Sequence, residues 1–268
     1  MTTPPPAEVL RAFDATGTAR PVTGGQGVTW RADDVILKPT WNPAETRWRA
    51  GVLAELPDTA DFRVARPVPA TTGDGTDWVH GGWEGWHVAR GREDPHRVDD
   101  AVATGLAFHA ALRRIDRPGF LDLRDDPWSR ADRIAWGEEP APMADPLLDA
   151  ILADCRPVRL PSQAVHPDLL GNLLYADGLP PAVIDWPPYW RPVEWAAAVA
   201  VVDARCWYDA DTGVIDRWSR LPAWPQMLRR ALAFRYATDL LRAPDGRASA
   251  ESRRVHGDLA TLLAARGG

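Results

Sequence analysis

Three oxygen-bearing side chains bracket a short apolar hairpin in the second half of the chain: Asp168, Asn172 and Asp185. The first two lie in His166-Pro167-Asp168-Leu169-Leu170-Gly171-Asn172, just before a strand-like Leu173-Leu174-Tyr175. The third ends Ala182-Val183-Ile184-Asp185, after a turn around Asp177-Gly178. Two strands joined by a turn bring their outer ends together, so the spacing predicts that Asn172 and Asp185 meet at one end. Amide and carboxylate oxygens are hard ligands suited to Mg2+, which leaves Asp168 to accept a proton. Singly, each residue has an ordinary use in capping or turning the chain. In this order, with a cation and a glycine loop upstream, they fit phosphoryl transfer from ATP.

The cation is Lys38, the only lysine among 31 basic residues. It closes Val35-Ile36-Leu37-Lys38, downstream of the glycine-rich turn Val22-Thr23-Gly24-Gly25-Gln26-Gly27-Val28. A compact ammonium touches phosphate oxygens as a point charge, where a planar guanidinium demands fork geometry. Gly24, Gly25 and Gly27 permit close approach of backbone amides to such phosphates.

These residues require elements to hold them. A short amphipathic helix is expected over 7–13. Strands are expected over 19–22, 28–31 and 35–37, with Ala32-Asp33-Asp34 as a hairpin turn. Asn42-Pro43-Ala44-Glu45 has the pattern of a helix start, with Asn as N-cap and Pro at N1. The apolar spacing of Trp48, Val52, Leu53 and Leu56 predicts the inward face of that helix, with Glu45 on the same side. Further strands are expected over 62–68 and 77–80, and 85–91 reads as a strand running into a connector. From Val98 onward the chain reads as helices over 98–115, 131–136, 146–154, 193–208, 227–241 and 251–265, interrupted only by the hairpin. The division expected is a β-rich lobe over 1–90 and a helical lobe over 91–268.

The motifs His166-Pro167-Asp168…Asn172 and Val183-Ile184-Asp185-Trp186 resemble the catalytic loop and metal-binding segment of the aminoglycoside phosphotransferase and choline kinase group. Leu106-Ala107-Phe108-His109 resembles the helix leading away from the inter-lobe hinge in these enzymes, and 163–204 resembles an actinobacterial branch of them. The resemblance implies an α+β, bilobal protein-kinase-like fold and an ATP- and Mg2+-dependent transfer of the γ-phosphate to a small-molecule hydroxyl. It implies Asp168 as the proton acceptor, Asn172 and Asp185 as Mg2+ ligands, and Lys38 on the α- and β-phosphates. It also implies that Glu45 or Glu55 orients Lys38, that backbone groups near Val88 and Ala89 meet adenine, and that His166 supports the loop. Trp128, Trp207, Tyr208 and Asp209 are candidates to line the acceptor pocket.

The sequence departs from the group at three places. Pro167 stands where glycine is usual, the Asp168-to-Asn172 loop is one residue shorter, and Trp190-Arg191-Pro192 followed by Trp195 replaces a Gly-Asp-Pro…Asp pattern. The first two bear on a base's placement and motivate a pseudokinase that binds nucleotide without transfer. A protein that keeps the fold and uses its tryptophans as a partner interface is a third reading. His256-Gly257-Asp258 matches the short catalytic string but falls in the last expected helix, without a following strand pair.

A net charge of −6 argues against a nucleic-acid partner, and no run of residues suits a membrane span. The segment after Met1 lacks a signal-peptide pattern, and Cys155 and Cys206 have no metal-like spacing, so a reduced cytoplasmic protein is the expectation. The 14 tryptophans are expected in the core.

Overall fold

The computed structural model describes residues 3–22, 27–72 and 75–266. The chain divides into two compact units, one of 1–92 with 174–186 and one of 93–173 with 187–268. The hairpin that was expected to interrupt the helical region therefore belongs with the N-terminal unit.

The first unit begins with α1 (Ala7–Ala12), followed by β1 (Arg20–Pro21), β2 (Trp30–Ala32) and β3 (Val35–Pro39). Asp33 adopts a left-handed φ of 51° in the β2–β3 turn, a conformation Asp tolerates better than most residues. α2 (Pro43–Glu55) starts where the sequence predicts: Asn42 accepts from the amides of Ala44 and Glu45 at 3.2 and 3.3 Å. Then come β4 (Arg63–Val64), β5 (Pro67–Val68), β6 (Ala70–Thr72), β7 (Gly75–Asp77), β8 (Trp83–His87) and β9 (Arg92–Glu93).

One sheet has the order β1-β2-β3-β8-β5, with β3 and β8 antiparallel and Lys38 opposite Glu84. Its core gathers Val9, Phe13, Val35, Leu37, Val68 and Trp83. Gly85 in β8 is required by this packing, since a Cβ there would lie 2.6 Å from the Phe13 ring. The single strand expected over 62–68 is two strands in different sheets. Arg66 breaks the run by turning back to cap α2, donating to the carbonyls of Leu53 and Leu56 at 2.6 Å each.

The chain then enters the second unit with α3 (Val98–Ala111), α4 (Pro127–Trp136), α5 (Pro146–Ala153) and β10 (Gln163–Val165). Asp126 and Asp145 cap α4 and α5 with proline at N1, so α4 begins earlier than its apolar residues suggest. The hairpin β11 (Leu173–Ala176) and β12 (Leu179–Val183) follows, and β12 pairs in parallel with β4. The remaining elements are β13 (Tyr189–Arg191), α6 (Val193–Trp207), α7 (Gly213–Arg217), α8 (Trp224–Arg242) and α9 (Ala250–Ala265). β13 pairs with β10, a partnership that the sequence reading missed. α8 packs against α4, α5, α6 and α9, while α3 lies on α6. α6 is buried from Trp195 through Ala204, and its last residue, Trp207, is exposed. Trp186 and Trp195 are among the largest fully buried side chains, as expected of core residues, whereas Trp41 and Trp207 are exposed, against that expectation. No helix among the described residues is long and apolar enough to cross a membrane.

Candidate active site

Lys38, Glu45, Val88, Ala89 and Asp185 belong to the first unit, and Asp168 and Asn172 to the second. Asn172 and Asp185, expected together at the hairpin's end, thus fall in different units. Gly24 and Gly25 lie outside the described residues, whereas Gly27 takes a left-handed φ of 70° in the β1–β2 connection.

In the first unit the Lys38 Nζ stands 2.9 Å from Asp185 Oδ2. β12 delivers Asp185 two residues past its end, and the parallel pairing of Val183 with Val64 holds that end in place. Asp185 itself has a φ of 46°. Left-handed backbone at a non-glycine residue is uncommon and gathers at functional positions.

The sequence reading missed the group beneath this pair. Arg49 of α2 donates through Nη2 to both carboxylate oxygens of Glu84 at 2.7 Å and through Nη1 to the Trp186 carbonyl at 3.1 Å. Its guanidinium also lies 5.1 Å from the centroid of the Trp86 ring. Thr46 Oγ1 donates to Glu84 Oε2 at 2.6 Å. Burial opposes the charge on Arg49, yet Glu84, Asp185 and Glu45 together hold its pKa above the ordinary arginine value. The buried face of α2 is therefore Thr46, Arg49, Ala50 and Leu53; of the expected face Leu53 and the C-cap Leu56 are buried, while Trp48 and Val52 are only partly so. Counting apolar residues misplaces a helix whose inward side chains include a paired charge. Glu45 is half-buried near Arg49, and Glu55 is exposed at the C-terminal end of α2. The signal that was present in the sequence is Glu84, a carboxylate between Trp83 and Gly85-Trp86 in a strand buried on both faces.

The connector after β8 is anchored at both ends. Val88 donates its amide to the Asp34 carbonyl at 2.8 Å, and Arg63 donates to the Arg90 carbonyl. Gly91, at φ 135°, passes so close to β11 that a Cβ would sit 2.8 Å from the Tyr175 carbonyl oxygen.

In the second unit, α3 positions the loop that carries Asp168. Leu169 lies directly over Gly105, where a Cβ would collide with it. The His166 amide donates to His109 Nε2 at 2.9 Å, and the Asp168 amide donates to His166 Nδ1 at 3.2 Å. Burial, with a smaller contribution from the neighbouring His166, pushes the His109 pKa down to about 3, consistent with an imidazole that accepts here. Asn172 donates through Nδ2 to the Asp168 carbonyl at 2.6 Å and to Asp168 Oδ2 at 3.1 Å. The other carboxylate oxygen, Oδ1, accepts from Arg235 Nη2 at 2.7 Å. Arg235 is held in turn by Asp203, with Nε to Oδ1 at 2.7 Å and Nη2 to Oδ2 at 2.5 Å. Burial pushes the Asp203 carboxyl up to about 6 against the pull of Arg235.

Trp207 and Tyr208 stand near this group. The Arg235 guanidinium is 5.7 Å from the Trp207 ring centroid, and Tyr208 has its pKa raised by burial and by Asp203 and Asp168. Asp209 follows with a left-handed φ of 48°. Trp128 instead packs under Arg242, two turns further along α8. His256 is buried in α9 with its Nδ1 against the Ser252 carbonyl, and Asp258 pairs with Arg254 on the surface, so that string is helical as expected. A cavity of about 630 Å³ between Arg117, Arg124, Asp132, Glu138, Tyr189 and Arg191 is lined by cations already paired with carboxylates.

Among the described residues no three His, Cys, Asp or Glu side chains gather as a metal site. A single carboxylate such as that of Asp185 is chemically suited to Mg2+, which is commonly held by one or two protein oxygens together with substrate phosphates and water.

No protein-family model matches the sequence, and no curated protein matches it. Solved structures do. The chain superposes on aminoglycoside 2'-phosphotransferase-IIIa in its GDP complex with a TM-score of 0.59 at 12% identity, covering 97% of each chain. It superposes on a thermostable mutant of aminoglycoside phosphotransferase APH(4)-Ia, bound to AMP-PNP and hygromycin B, with a TM-score of 0.59 at 11% identity, covering 97% of this chain and 98% of that one. Against a choline kinase from Streptococcus pneumoniae the TM-score is 0.61 at 11% identity, over 95% and 96% of the two chains. With a β-rich N-terminal part and a helical C-terminal part, the chain has the α+β, protein-kinase-like fold of aminoglycoside phosphotransferases and choline kinase.

Proposed function

We propose that this protein is a phosphotransferase that moves the γ-phosphate of ATP, with Mg2+, to a hydroxyl of a small molecule. The observation that carries the reading is the Lys38–Asp185 pair at 2.9 Å, in a fold whose solved neighbours hold GDP, AMP-PNP and ADP. Lys38 contacts the α- and β-phosphates, and the loop of Gly24, Gly25 and Gly27 covers them with backbone amides. Asp185 and Asn172 hold Mg2+, which neutralises phosphate charge when bound. Asp168 accepts the proton of the attacking hydroxyl. Because the Val88 amide is committed to Asp34, the adenine contact falls to the Val88 carbonyl and to Ala89. Glu45, which lies near Arg49 on α2, orients Lys38, and Asp185 also pairs with Lys38. Neighbours that bind hygromycin B or phosphorylate choline support a small polar alcohol as acceptor.

A second reading has an observation of its own. Both carboxylate oxygens of Asp168 accept hydrogen bonds, and Pro167 precedes it, which supports a protein that binds Mg2+·ATP and transfers nothing.

Thermal unfolding with ATP, with Mg2+ and with both tests the proposal, comparing wild type with Lys38→Ala and Asp185→Ala. ATP at about 100 times its Kd stabilises the native state by roughly 2.7 kcal/mol. In a chain of this size that is a rise of about 5 to 10 °C. A Mg2+-dependent rise lost in both variants supports nucleotide binding by these residues, and a screen of hydroxyl acceptors then separates transfer from binding alone. A folded protein without any rise overturns both readings.

A further inference from the structure

Asp203 of α6 and Arg235 of α8 form a buried ion pair, 32 residues apart in sequence, for which stability gives no reason. Desolvating two charges offsets most of their attraction, and an apolar pair of similar volume is commonly at least as stable. The surroundings are partly apolar, with the Arg235 guanidinium 5.1 Å from the centroid of the buried Phe234 ring. What distinguishes the pair is its third member. Arg235 Nη2 reaches past Asp203 to Asp168 Oδ1 at 2.7 Å and to the Pro167 carbonyl at 3.4 Å.

We propose that Arg235, clamped by Asp203, is the positioning residue of the Asp168 carboxylate. The inference rests on the reading of Asp168 as the proton acceptor. The side chains of Arg235 and Asp203 are 9% and 5% exposed, whereas that of Asp168 is 50% exposed. A rigid interior pair thus holds a carboxylate that faces solvent on its other side. With Arg235 on Oδ1 and Asn172 on Oδ2, the carboxylate plane is set from both edges. The loop backbone supplies the third constraint, through Leu169 on Gly105 and the Asp168 amide on His166. Arg235 touches neither acceptor nor nucleotide in this scheme and acts through Asp168.

The test uses Asp203→Asn as background, because Arg235→Met alone strands a buried carboxylate and endangers folding. Two quantities are measured on the full chain: the Kd for Mg2+·ATP by calorimetry, and phosphate release from Mg2+·ATP with water as the acceptor. R235M in the D203N background is expected to slow phosphate release by about 100-fold, as misplacement of a reacting group does, with the Kd unchanged within about twofold. Arg235→Lys in the wild-type chain, which keeps a donor on Asp168, is expected to retain at least about a tenth of the wild-type rate. Unchanged rates, or a rate and affinity that fall together, overturn the proposal. A double-mutant cycle of D168N and R235M in the same background, read by thermal unfolding, needs no turnover. Coupling of about fivefold in the unfolding constant supports the clamp. Coupling below about twofold overturns it, even in a protein that hydrolyses nothing. Absence of wild-type phosphate release and of transfer to any acceptor, with the coupling intact, counts against the phosphotransferase reading and not against the clamp.

Discussion

Arg49 places one guanidinium nitrogen 2.7 Å from each carboxylate oxygen of Glu84, so α2 presents a cation to the strand beside Lys38. The side chains are only 10% and 6% exposed, which makes the pair costly to break and poor at tolerating the loss of one partner. Glu84 also receives the Thr46 hydroxyl, and Arg49 spends its remaining arm on the Trp186 carbonyl next to Asp185. The position of Asp185 is thereby tied to the interior of its own unit.

Removing one partner of this pair is expected to destabilise the protein strongly. Glu84→Gln or Arg49→Met leaves an uncompensated buried charge or polar group, at a cost of about 3 to 5 kcal/mol. The double variant R49M/E84Q is expected to recover much of that loss. Urea unfolding of the three variants checks it, and additive single effects would show that the pairing is not what holds α2.

Lys38→Ala is expected to leave the stability of the nucleotide-free protein nearly unchanged. The Lys38–Asp185 side chains are 20% and 48% exposed, and an exposed pair contributes about 0 to 1 kcal/mol. The melting temperature should move by no more than about 2 to 4 °C. A larger drop would mean that lost ligand stabilisation in this variant cannot be read as lost binding.

Gly105→Ala is expected to separate stability from activity. Its Cβ meets the end of the buried Leu169 side chain, one residue from Asp168, so the crowding falls on the loop that carries the carboxylate. Overpacking of this kind costs about 1 to 3 kcal/mol. Phosphate transfer should fall by about tenfold or more, since small misplacements at a reacting centre are amplified in rate. Circular dichroism melts beside a transfer assay measure both, and full activity would place Leu169 outside the positioning of Asp168.

Acidification is expected to weaken the fold through His109. Its folded pKa, about 3, lies below the unfolded value near 6.5, so the unfolded state binds more protons between those limits. Stability contributed by the neutral imidazole is therefore complete above about pH 6.5 and falls as pH drops, by roughly 1.4 kcal/mol per pH unit. Burial lowers the pKa of His256 as well, and adds to the loss in the same direction. His109→Gln keeps an acceptor for the His166 amide without a titrating ring, and its stability should fall less steeply between pH 6.5 and 5. Urea unfolding at those two pH values decides, with equal slopes ruling His109 out.

Local chemistry determined much of this protein from sequence alone. Asn42-Pro43 and Asp145-Pro146 start helices where the sequence predicts them, because a capping oxygen and a proline at N1 act within one turn. Asp126-Pro127 does the same for α4, four residues ahead of the start that its apolar residues suggest. The hairpin over β11 and β12, the single lysine on β3 and the buried tryptophans follow from equally short-range signals. Tertiary structure decided the rest. The run over 62–68 splits because its halves pair with different partners, β12 and β8, and no local propensity records a partner. The buried face of α2 and the clamp on Asp168 depend on Arg49 meeting Glu84 across 35 residues and Arg235 meeting Asp168 across 67. A charge reads as a surface residue in sequence, and only its folded partner makes burial tolerable.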